Sequence, residues 1–124
     1  MRAALASDFP VTLPPAPLTG VAVGVTRWDP VLVTEYPAPP SLEGILWPAE
    51  RASVKQMIRS FTLDGAKANF LEKQVGSIKV GKRADLVVLN RNLLKVKDPK
   101  DLFKAEVLLT VGNGTVLYDA RSDK

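Results

Sequence analysis

The stretch VGSIKVGKRADLVVLNRNLL, Val75–Leu94, decides how this chain is to be read. Ile78 and Val80 alternate with Ser77 and Lys79, a period of two that predicts a strand running into a Gly81-Lys82 turn. Asp85-Leu86-Val87-Val88-Leu89 comes next, a short apolar run bounded by polar residues, as in a strand covered on both faces. Asp85 at its start reads as a structural carboxylate that holds backbone or Lys/Arg donors. Gly76, Gly81 and Lys82 do not complete the Gly-x-x-x-x-Gly-Lys-Ser/Thr motif of a phosphate cradle, because Arg83 stands at its last position, so they read as turn residues.

Downstream, Val107–Val111 and Thr115–Tyr118 flank Gly112-Asn113-Gly114, where Asn and Gly tolerate the positive φ that tight hairpins need. Asp98-Pro99-Lys100-Asp101-Leu102-Phe103 reads as a turn opening a short helix. Upstream the period becomes helical. Ser53 and Gln56 form a capping box, and Val54, Met57, Ile58 and Phe61 recur at i, i+3, i+4, i+7. A second short helix is expected from about Thr62, presenting Leu63, Ala66 and Phe70 to the same core, although Asp64-Gly65 disfavours it.

The first part of the chain is of another kind. Residues 10–48 hold nine of the ten prolines, and proline removes an N–H donor and fixes φ, so extended loops are expected there. Between the proline clusters lies Thr19–Pro30, where Val21, Val23 and Val25 alternate as in a strand. Leu18, Val21, Ala22 and Val25 also fall at helical spacing. Trp28, Tyr36 and Trp47 either cover the helices or line a peptide groove.

Composition narrows the functional classes. The chain has 124 residues, 46% of them hydrophobic, enough for one core. No apolar run reaches the roughly 20 residues of a membrane helix, and no apolar h-region comes after Met1, so neither a membrane span nor a signal peptide is expected. There are 17 basic and 13 acidic residues, a net charge of +4. The basic residues are spread among acids rather than gathered with aromatics, which argues against nucleic-acid binding. The chain contains neither Cys nor His, which removes disulfides and thiolate or imidazole metal ligands and agrees with a cytoplasmic protein.

Three passages together resemble the carboxyl-terminal part of the amidohydrolase superfamily, in particular amidohydrolase family 3. SDFPV, Ser7–Val11, is similar to the family's Gly/Ser-Asp-aromatic-Pro-Val at the end of barrel strand eight. Val75–Leu94 resembles its Gly-Ser-Ile-x-x-Gly-Lys-x-Ala-Asp-Leu-Val-Val-Leu passage, and Val107–Asp119 its final hairpin. SFTLDGAKANF, Ser60–Phe70, resembles its Thr-x-Asn-Gly-Ala junction, with Asp64 where Asn is usual.

The resemblance implies hydrolysis of non-peptide C–N bonds by a metal-bearing (β/α)₈ barrel beside a β-sandwich. It implies that Asp8 is the family's metal ligand and general base, and no other residue of this chain matches a ligand position. It also favours the helix over the strand in Thr19–Pro30. A barrel needs about 250 residues, and a catalytic zinc takes about three protein ligands. Asp8 therefore reads as vestigial here, acting as a turn residue ahead of Pro10. Zinc or another divalent metal belongs to the intact family, no cofactor is expected for this chain alone, and by itself it is expected to be catalytically incompetent.

The expected fold is α+β, in three stretches. Residues 1–50 form a proline-rich remnant of barrel strand eight with its succeeding helix and loops, 51–73 a helical hairpin, and 74–124 the carboxyl-terminal strands of the sandwich. The rival readings are a non-catalytic binding or oligomerisation module and a truncated gene product. The expected partner is a second copy or a complementing barrel chain, because unpaired apolar strands recruit other chains.

Overall fold

Helices of the first half pack beside a small antiparallel sheet of the second. The computed structural model describes residues 3–6, 16–28 and 48–122. Helix α1, Pro17–Thr26, opens on a proline whose missing N–H costs nothing at a first turn. It closes where Arg27 turns to a φ of 57° and donates its N–H to the Val23 carbonyl at 2.7 Å. Helical spacing thus prevails over alternation in this stretch, and Val21 and Ala22 are buried. Helix α2, Val54–Arg59, begins at the expected capping box, with Ser53 and Gln56 satisfying each other's backbone donors.

Small residues let the helices approach. A Cβ at Gly20 would lie 2.7 Å from the Phe61 ring, and one at Gly24 2.2 Å from the Met57 methyl. Ala22, Leu93 and Leu102 form the buried centre, with Val25, Ile58 and Leu89 packed against it. Trp28 covers this core, edge-on to Phe103 at 5.3 Å and beneath the Lys100 ammonium at 4.9 Å. Tyr36 and Trp47 lie outside the described residues.

Instead of a break near Thr62, the helix widens into a π-turn, Ser60–Asp64, and continues as α3, Gly65–Ala68. Leu63 and Ala66 lie inward, but Phe70 is 91% exposed. Phe70 takes a φ of 59° that ends the helix, while the Leu71 N–H returns to the Ala66 carbonyl at 2.8 Å. The turn geometry directs the ring away from the core that its helical spacing would have joined.

The sheet has the order β1-β2-β3, with β1 Leu86–Leu89, β2 Val107–Gly112 and β3 Thr115–Asp119, antiparallel throughout. Its hairpin turns at Asn113 and Gly114, with φ of 50° and 79°, as expected from the sequence. Asp98 caps the 3₁₀ segment Pro99–Lys104 by accepting the Lys100 N–H at 2.9 Å.

Two expectations are corrected. Ser77–Val80 is not a strand: Ile78 is 88% exposed, the Lys82 ammonium holds Ser77 Oγ at 2.7 Å, and the Lys82 N–H closes a turn on the Lys79 carbonyl at 3.2 Å. Nor is β1 covered on both faces, since Val87 and Val88 stand in solvent. No second layer lies over them among the described residues, so an apolar run indicates a strand but not what covers it. The architecture of the described residues is α+β, with three helices and a three-stranded sheet.

Candidate functional site

Asp8, the residue singled out by the sequence, lies outside the described residues. The segment just before it is placed. Leu5 donates its N–H to the Ser60 carbonyl at 3.4 Å, so residues 3–6 run beside the π-turn.

That turn carries the most buried charge of the described residues. Arg59 Nε donates to Asp64 Oδ2 at 3.1 Å, a pair five residues apart that a π-turn brings onto one face. Asp64 is only 7% exposed, and its Oδ1 has no hydrogen-bond partner among the described residues. Gly76 seats the following loop on the same turn: with φ at 81°, its Cβ position lies 2.6 Å from the Ala66 Cβ and 3.1 Å from the Thr62 carbonyl. The sequence marked Asp64 as a helix-weakening residue and as a departure from the family's usual Asn, not as a buried charge. The signal missed was the i, i+5 spacing of Arg59 and Asp64, which an ordinary α-helix does not align.

Lys82 organises the next loop. Its ammonium donates to the Glu72 carbonyl, to the Val75 carbonyl at 3.0 Å and to Ser77 Oγ at 2.7 Å. The three acceptors use all three N–H groups of the side chain, which makes Lys82 a clamp rather than a phosphate ligand. Asp85 does what its position at a strand start suggested. It accepts the Asn113 N–H at 2.7 Å and Arg83 Nη2 at 2.9 Å, and these bonds, the backbone one foremost, hold its carboxyl below the usual range. At the far end of the sheet Arg121 forks onto both oxygens of Asp119 and draws that carboxyl down to about 2.

These carboxylates are scattered, each matched to its own donor. Among the described residues no three Asp, Glu, His or Cys gather where they could hold a metal ion. With no imidazole or thiolate in the sequence, the donor set does not fit a catalytic metal. No helix among the described residues is long and apolar enough to cross a membrane.

Comparison with known proteins agrees with the motifs. The chain is 34% identical over 115 residues to Protein LONG AFTER FAR-RED 3 of Arabidopsis thaliana, covering 93% of this chain and 18% of that protein. It is 33% identical over 125 residues to the N-substituted formamide deformylase of Arthrobacter pascens, covering 96% of this chain and 20% of the deformylase. The fold resembles the crystal structure of an amidohydrolase from Thermotoga maritima, with a TM-score of 0.57 and 24% identity over 94% of this chain and 22% of the other. The chain thus spans about a fifth of the length of the proteins it matches. Since residues 1–118 match the model of the Amidohydrolase family, the chain belongs to that family.

Proposed function

We propose that this chain is a segment of a metal-dependent hydrolase acting on non-peptide C–N bonds, and that it does not catalyse alone. The match over residues 1–118, in a chain without histidine, carries this reading. Asp8 is the position that would orient and deprotonate water in an intact enzyme, where a barrel supplies the imidazole ligands. The deformylase relative suggests the substrate class: N-substituted formamides, whose hydrolysis yields formate and an amine.

The test is formate release from an N-substituted formamide by the 124-residue chain, with zinc added. The expected rate is that of buffer with zinc. A deformylase lacking its matching segment should regain activity when this chain is added, and lose it again with Asp8→Ala. Zinc-dependent turnover by the chain alone, abolished by Asp8→Ala, would overturn the reading.

A non-catalytic association module is the second reading. The exposed apolar side chains of β1 and β3 favour it.

A further inference from the structure

The sheet has two outer edges, and they are not alike. Along β3, Tyr118 and Val116 face the adjacent residues Thr110 and Val111, so Leu117 is an extra residue in that strand. An edge bulge of this kind twists a strand away from new partners. Along β1 the irregularity falls on the other strand: Val88 and Leu89 face Leu109 and Val107, which leaves the extra residue, Leu108, in β2. The β1 edge is therefore regular. It carries no charge from Leu86 to Leu89, and Val87 and Val88 are 56% and 47% exposed. No other strand pairs with its outer side among the described residues.

We propose that this edge pairs antiparallel with β1 of a second copy, making one continuous six-stranded sheet. Charge sets the register. A two-fold axis that joins antiparallel edges stands perpendicular to the sheet and preserves its faces, so one residue must lie opposite its own copy. With Val87 on the axis, Arg83 would face Arg91 of the second copy, a like-charge pair. With Val88 on the axis, Asp85 faces Arg91 at both ends of the junction, and Val87 faces Leu89. The second arrangement is self-complementary. Both charged groups keep capacity for it. Arg91 commits Nε to Asn90 Oδ1 and Nη1 to the Asp101 carbonyl, while the Asp85 oxygens accept the Arg83 and Asn113 bonds, one each, and have lone pairs for more.

Such pairing does not depend on the hydrolase reading, because its readouts are mass and cross-linking rather than activity. Sedimentation across a dilution series should show a species of about twice 13.4 kDa at high concentration. Val88→Lys should abolish it at concentrations where the parent chain is dimeric, since two ammonium groups would meet on the axis. The chain has no cysteine, so Val88→Cys adds a single thiol. Opposed residues have Cα atoms about 4.5–5.5 Å apart, within disulfide reach, so mild oxidation should link two Val88→Cys chains but not two Val87→Cys chains. A 13.4 kDa mass at every concentration, or cross-linking through position 87 in place of 88, overturns the proposal. So does a dimer indifferent to Val88→Lys.

Discussion

Asp85 accepts the backbone N–H of Asn113 at 2.7 Å, joining the first residue before β1 to the turn between β2 and β3 across 28 positions of sequence. The Gly114 N–H reinforces the seam by donating to the Ala84 carbonyl at 3.0 Å. One carboxylate thus orients the hairpin against the strand that pairs with it.

Protonation should loosen this seam and the Asp119–Arg121 fork together. Both carboxyls are depressed in the folded chain, Asp119 to about 2, so the stabilisation they provide is complete above the unfolded value of roughly 3.9. It is lost as pH falls from there through the folded values. Hairpin amide protection factors from NMR, with the intrinsic pH dependence of exchange divided out, should be flat above about pH 5 and fall between roughly pH 4 and 2. Asp85→Ala should speed exchange at Asn113 at neutral pH and leave the Ser53–Gln56 cap untouched.

Gly76 and Gly81 share nearly the same φ, 81° and 85°, yet substitution should separate them. At Gly81 nothing lies within 4 Å of a new Cβ, so Ala costs only the backbone conformation, about 1 kcal/mol. At Gly76 the Cβ would meet the Ala66 Cβ and the backbone of Leu63 and Thr62, raising the cost to about 3 kcal/mol. Urea denaturation of the two variants measures the difference, and equal losses would show that the loop shifts freely over the π-turn.

The Arg59–Asp64 pair should respond asymmetrically. Arg59→Ala strands a buried carboxylate and should cost about 2 kcal/mol, below the range of a fully buried pair because Arg59 is 40% exposed. Asp64→Asn keeps a carbonyl acceptor for Arg59 and removes the buried charge, so its cost should stay under about 1 kcal/mol. Equal unfolding midpoints for the two variants would show that the stranded carboxylate carries no cost of its own.

Much of this protein was legible in local chemistry. The Ser53 cap, the Asn113-Gly114 turn, the Asp98 cap and the Asp85 carboxylate each depend on residues whose side chains or backbone preferences act within a few positions, or on a strand start that needs an acceptor. The family, too, could be read, because its motifs are short strings of such residues.

What the sequence could not state was what each apolar side chain would meet. Ile78 and Val80 have the period of a strand but, among the described residues, no strand beside them. Phe70 has helical spacing but sits where the chain turns to positive φ, and Val87 and Val88 form a strand without a layer above it among the described residues. Periodicity records which way a side chain points along its own element. Burial depends on a second element arriving there, and only the tertiary structure decides that. The same holds for Arg59 and Asp64. Their charges are written in the sequence, but their meeting required the helix to widen by one residue.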